Sequence, residues 1–155
     1  MRGKTPIFPV EPLNNFSVTF QVTVPFTYSP KVRQISMIST EPTAATTAVV
    51  TGWGALSSDD TTLQSQLRAV EVNITVRTTC NSAYAPDRPV TWNMICAGVA
   101  GLGICNGDFG GPLVVRGHLA GIASWGIGCA DVQHPGVYTN VASLKSFITQ
   151  VTGLQ

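Results

Sequence analysis

Apolar and polar side chains alternate with a period of two along most of this chain. The run FSVTFQVTV, Phe16 to Val24, alternates, is rich in β-branched residues and stops at Pro25, so it predicts a strand. KVRQISM, from Lys31, alternates again, and TAVVTGWG, from Thr47, predicts a strand running into a tryptophan flanked by glycines. The longest alternating run is LRAVEVNITV, Leu67 to Val76, and turn clusters such as SSDDTT separate these segments. PLVV and HLAGIASW, joined by Arg116-Gly117, predict a hairpin. Only the end departs from this pattern: in ASLKSFITQV the apolar Leu144, Phe147, Ile148 and Val151 fall at i, i+3, i+4 and i+7, which predicts a short amphipathic helix. Many short strands with one terminal helix predict an all-β sandwich or barrel.

Composition bounds the function. The 155 residues suit one domain, and 44% hydrophobic content can fill a sizeable core. With 11% charged residues and a net charge of +1, nothing marks the chain for nucleic acid or an anionic membrane. Runs such as Ala48-Val49-Val50 are far too short to span a bilayer. The start, MRGKTPIFPVEPL, has the basic opening of a signal peptide but breaks its apolar stretch with Pro6, Pro9, Glu11 and Pro12, so no signal peptide is visible.

Cys80, Cys96, Cys105 and Cys129 include no C-x-x-C pair and have no histidine at ligand spacing, which argues against zinc. Two disulfides and an oxidising compartment fit better, and three pairings are open. Two N-x-[ST] sequons begin at Asn15 and Asn73.

The glycine-rich stretch GVAGLGICNGDFGGP, Gly98 to Pro112, frees the backbone for positive φ and can turn N–H groups toward an anion. It is not a phosphate loop. Asn106 stands where a dinucleotide fingerprint needs glycine, and no Gly-Lys-Ser/Thr follows. A disulfide-tied structural loop is the plain alternative.

The flanking residues go further. CNGDFGGPL, from Cys105, is followed by GIASWGIGC, from Gly121, and by HPGVYTNV, from His134, with VVTGWG, CNSAY and MICAG upstream. In this order and spacing the set closely resembles the chymotrypsin/trypsin-like serine endopeptidases, strongly from about Val49 to Val151 and more weakly from Phe16 to Met37. The resemblance implies a fold of two antiparallel β-barrels with the active site between them. Residues 48–155 correspond to the C-terminal barrel and its helix. Residues 1–47 correspond to an irregular lead, the last strand of the first barrel and the connector. It also implies bridges Cys80–Cys96 and Cys105–Cys129, and secretion.

The chemistry of that family needs a serine hydroxyl, a histidine base, an orienting carboxylate and two backbone N–H donors for the oxyanion. Phe109 occupies the nucleophile position. A phenyl ring has no proton to lose and no lone pair to attack with, and its bulk would partly mask the oxyanion donors, the N–H groups of Gly107 and Phe109. The nearest match to the carboxylate position is Asn15, although the spacing from there to Pro25 is one residue longer than the family's. The two histidines, His118 and His134, match no catalytic position and read as exposed loop residues. Without one member of the triad, a residual acceleration on the order of 10³-fold over water is all that such sites keep. Asp108 corresponds to the acid that accepts a new N-terminal ammonium on activation; lacking that partner it implies a zymogen-like loop. Gly103 corresponds to the floor of the substrate pocket, and Ser124, Trp125, Gly126 and Gly136 to its walls, so the slot is open and neutral.

The expectation is therefore an inactive serine-protease homologue that binds a peptide or protein, a protease or an inhibitor among them, with no metal or organic cofactor. Two alternatives stand beside it: a serine endopeptidase represented by an incomplete or variant sequence, and an unsupported half-domain that is degraded because it exposes apolar surface.

Overall fold

The computed structural model describes residues 22–129, 131 and 133–153. In chain order the elements are β1 (Ser36–Met37), β2 (Thr47–Gly52), β3 (Arg68–Ile74), α1 (Arg77–Tyr84), β4 (Met94–Gly98), β5 (Pro112–Val115), β6 (His118–Trp125), β7 (Gly136–Asn140) and α2 (Val141–Thr152). Six strands close on themselves in the order β2-β3-β4-β7-β6-β5, every pair antiparallel. β1 adds in parallel to the start of β6. A closed ring leaves no long unpaired edge, so the fold does not depend on another chain to satisfy its sheet.

The alternation read from sequence is the inside–outside pattern of this barrel. In β3, Val72 and Ile74 are buried while Glu71 and Asn73 are exposed; in β2, Ala48 and Val50 point inward. With Leu113, Val115 and Tyr138 these residues fill one core. The β5–β6 turn places Arg116 and Gly117 at φ 48° and 79°, the two left-handed positions of a tight hairpin.

β4 breaks the alternation, with Ile95, Cys96 and Ala97 buried in succession. Both of its faces are covered. Ile95 and Ala97 enter the barrel, whereas Cys96 packs outside with Cys80 and Tyr84 of α1 and Val137 of β7. The helix α1 corrects the expectation that only the chain's end is helical. RTTCNSAY has weak helix formers and no side-chain cap, so local propensity does not announce it. Tertiary bonds hold it instead: the Cys80–Cys96 disulfide, and Arg77, which donates to the carbonyls of Thr91 and Met94 and pairs with both oxygens of Glu41.

Other expectations need narrowing. Most of the run 16–24 lies outside the described residues, and its described part, 22–24, forms a bend rather than a strand. Of KVRQISM only Ser36 and Met37 form a strand, and Val32 makes an isolated bridge to Ser29. The predicted terminal helix is α2, capped by Asn140 at its start and by Gly153, at φ 72°, at its end. Of its stripe, Leu144, Ile148 and Val151 are half-buried and Phe147 is exposed, and its one fully buried residue is Val141.

Candidate active site on the barrel rim

The loop between β4 and β5 carries the candidate site. A two-way hydrogen bond between Val99 and Leu102 opens it, and the second disulfide, Cys105–Cys129, ties it to the segment after β6. Its far end docks on β6: Gly110 N–H donates to Ala123 C=O at 2.7 Å, and Ala123 N–H donates to Gly111 C=O at 2.8 Å. Gly107 and Gly110 adopt φ 96° and 87°, a region that costs other residues strain. Phe109 lies between them, 52% exposed. The N–H groups of Gly107 and Phe109 have no hydrogen-bond partner among the described residues.

Asp108 points the opposite way, into the protein. Its Oδ1 accepts from Gly54 N–H at 2.7 Å and its Oδ2 from Cys105 N–H at 3.1 Å. The tryptophan flanked by glycines explains the fit. A Cβ on Gly52 or on Gly54 would overlap the Asp108 carboxylate, so both positions must lack a side chain for the strand end to wrap around it. Two backbone amides thus satisfy the carboxylate that lacks an N-terminal ammonium.

Gly103, Gly126 and Gly136 line one cavity of about 160 Å³, together with Thr75, Gly98 and Pro135. Ser124 and Trp125 do not line it. Ser124 is the extra residue of a bulge between β6 and β7 and is exposed, while Trp125 meets Tyr84 edge-on at 4.7 Å and lies under the Arg88 guanidinium at 4.9 Å. A second cavity of about 240 Å³ abuts Gly103 from the side of Gly52, Gly54 and Asp108.

Several residues here escaped the sequence reading. Ile104 is buried against Gly136, where a Cβ would come within 2.9 Å of its Cγ1, and it adds an apolar side chain to the lining of the glycine-lined cavity. An isoleucine isolated among glycines is the one signal that could have marked it. The Tyr138 hydroxyl is buried without a hydrogen-bond partner among the described residues. Burial, and secondarily the Asp108 charge, holds its proton on far above the ordinary tyrosine range. His134 is not a free loop histidine: its Nδ1 lies 2.9 Å from Asp131 Oδ1, and its ring packs 5.4 Å from that of Tyr84. Asp131 is held below the ordinary carboxylate range, first by the Gln133 N–H and then by His134. His118 starts β6, exposed, with Nδ1 3.0 Å from the Arg116 carbonyl. Asn15 lies outside the described residues.

Among the described residues no cluster of three or more His, Cys, Asp or Glu could hold a metal ion, and no helix is long and apolar enough to cross a membrane.

A closed six-stranded antiparallel barrel with a C-terminal helix, carrying Gly-Asp-x-Gly-Gly-Pro on its rim, defines a chymotrypsin-like barrel. The family model described as Trypsin matches residues 13–148, and the chain belongs to that family of serine proteases. It is 43% identical over 122 residues to trypsin beta of Drosophila erecta, covering 78% of this chain and 48% of that protein. To trypsin alpha-3 of Lucilia cuprina it is 44% identical over 123 residues, covering 79% of this chain and 74% of that protein. The solved structure of neuropsin, a serine protease expressed in the limbic system of mouse brain, superposes with TM-score 0.77 at 33% identity, covering 81% of this chain and 56% of that one. The chain thus spans about half the length of the Drosophila relatives it matches.

Proposed function

We propose that this chain is a catalytically inactive member of the trypsin family whose remaining capacity is to bind a peptide or protein segment. The observation that carries the reading is Phe109, a benzyl group at the tip of a loop otherwise built as the family builds it. Acyl transfer requires a group that can lose a proton and attack; phenylalanine offers neither. That deficiency is independent of whatever sequence precedes the chain. Asn15, as an amide at the place of the orienting carboxylate, would compound it.

The binding half of the proposal rests on the parts that remain. The unpaired N–H groups of Gly107 and Phe109 can donate to a ligand carbonyl, and the cavity of Gly103, Gly126 and Gly136 offers a slot lined by the apolar Ile104, with the Asp131–His134 pair on its wall. The favoured ligand is a segment with a large apolar side chain, presented by a peptide, a protease or an inhibitor. We assign residues 48–155 to the C-terminal barrel of the domain and residues 1–47 to its lead and connector. Family membership and two disulfides support an extracellular site of action.

The test combines two measurements on the oxidised chain. A fluorophosphonate probe should leave it unlabelled, and a peptide with a central Phe or Leu should bind saturably. Gly126→Val, whose Cβ would meet only Tyr84 Oη at 3.8 Å and Gly136 Cα at 3.9 Å, should fill the cavity and abolish binding without unfolding the barrel. Covalent labelling overturns the inactive reading; peptide binding that survives Gly126→Val overturns the cavity assignment. The relatives named trypsin favour a second reading, a serine endopeptidase of which this is a variant or partial sequence. It requires serine at position 109 in the full-length transcript.

A further inference from the structure

We propose that Asn73 is an N-glycosylation site on the outer face of the barrel, beside the glycine-lined cavity. The triplet Asn73-Ile74-Thr75 has the acceptor amide and the hydroxyl two residues on that the transfer requires. Sequence alone cannot say whether a glycan there would fit, and the structure does. Ile74 points into the core, so Asn73 points out and is exposed. Its side-chain amide has no hydrogen-bond partner among the described residues. Its neighbours across the ladder are Thr47, itself exposed, and Gly98, which has no side chain. A sugar on Nδ2 therefore breaks no bond and displaces no packed group. Asn81 and Asn140 differ: their side chains bond Val90 and Glu41, and neither has the third-position hydroxyl.

The reaction joins Asn73 Nδ2 to C1 of an oligosaccharide carried on a lipid pyrophosphate. The N–C1 bond forms as the C1–O bond to the pyrophosphate breaks; the lipid pyrophosphate leaves with that electron pair, and one amide proton is lost to it. Because Asn73 pairs with strands on both sides, transfer precedes closure of β3 between β2 and β4. The glycan then roots on the strand whose continuation supplies Thr75 to the cavity, next to Gly98, which also lines it. It keeps this stretch of the outer face solvated, so a protein partner must approach from the loop side. The inference rests on the proposed passage through an oxidising secretory compartment and not on whether the site turns over peptide.

The experiment translates the full chain into endoplasmic-reticulum microsomes behind a cleavable secretion leader, with a second sequon appended at the C-terminus as a reporter of lumenal delivery. A glycan at Asn73 is expected, removable by the amidase that leaves aspartate at that position. Asn73→Gln and Thr75→Ala should each lose it, Thr75→Ser and Asn15→Gln should keep it, and Asn73→Gln should melt as the unglycosylated parent does. A modified reporter beside a bare Asn73 overturns the site alone. Covalent fluorophosphonate labelling of the same glycosylated product overturns the inactive reading and leaves the site standing.

Discussion

The Asp108 carboxylate accepts a hydrogen bond of 2.7 Å from the backbone N–H of Gly54, at the start of the loop that leaves β2. A side chain at Gly54 would occupy the place of that carboxylate. Gly54→Ala should therefore destabilise the barrel by about 1–3 kcal/mol through overpacking. Asp108→Ala leaves the N–H groups of Gly54 and Cys105 unpaired and should cost about 1–3 kcal/mol as well. Urea denaturation of both single variants and the double variant checks this, and the double should cost less than the sum because the two share one contact.

Phe109 supports no core. At 52% exposure its replacement by serine should change stability by no more than about 0.5 kcal/mol. The introduced hydroxyl gains no base among the described histidines, since neither His118, on the Arg116 carbonyl, nor His134, beside Asp131 and Tyr84, makes a hydrogen bond or ring contact with Phe109. Phe109→Ser should stay unlabelled by fluorophosphonate, as read by mass spectrometry of the intact protein.

Arg77 joins elements far apart in sequence. Its guanidinium pairs with Glu41, donates to two carbonyls and lies 4.8 Å from the ring of Trp92. Losing charge-assisted bonds at a side chain only 18% exposed should cost about 2–3 kcal/mol in Arg77→Met. Arg77→Lys should recover little, because one ammonium cannot reproduce the planar fork. Thermal melts of the two variants should nearly coincide.

The Cys105–Cys129 bridge closes a sequence separation of 24 residues around the candidate site. Replacing both cysteines by serine should lower stability by about 2–4 kcal/mol. The loss should appear first as faster amide exchange between residues 103 and 111, where the loop otherwise relies on its bonds to β6 and to Gly54 and Ala55.

Two groups give pH responses of opposite sign. Asp131 is held below its ordinary value in the fold, by the Gln133 N–H first, so its contribution is present above the unfolded value of about 4 and is lost as pH falls through the lower folded one. The stability difference between the parent and Asp131→Asn should vanish in acid. Tyr138 is held high by burial, so its contribution is full below the unfolded value of about 10 and is lost as pH rises further. In an alkaline titration its phenolate absorbance should emerge only when the barrel unfolds, and Tyr138→Phe should remove that step.

β2 and β3 were legible from alternation because each has one face in the core and one facing outward, and β5 and β6 from two apolar runs flanking the Arg116-Gly117 turn. β4 and β7 were not announced by alternation, since α1 covers the outer face where Cys96 and Val137 lie. The helix α1 was missed for the same reason in reverse, its stability coming from Cys80, Tyr84 and Arg77 rather than from its own propensities. At the site, Gly103, Gly126 and Gly136 line one cavity, whereas Ser124 and Trp125, beside a bulge that no sequence pattern marks, do not.

From the amino-acid order alone came the period-two pattern, hence an all-β fold, and the identity of residue 109, hence the absence of a hydroxyl there. Both are local properties: one is carried by each strand's own side chains, the other by a single side chain. Tertiary structure alone decided where Asp108 points, which amides satisfy it, what lines the cavity and which asparagine faces solvent. Those outcomes depend on backbone groups and side chains dozens of residues apart meeting at hydrogen-bonding or van der Waals distance, and only closure of the barrel brings them together.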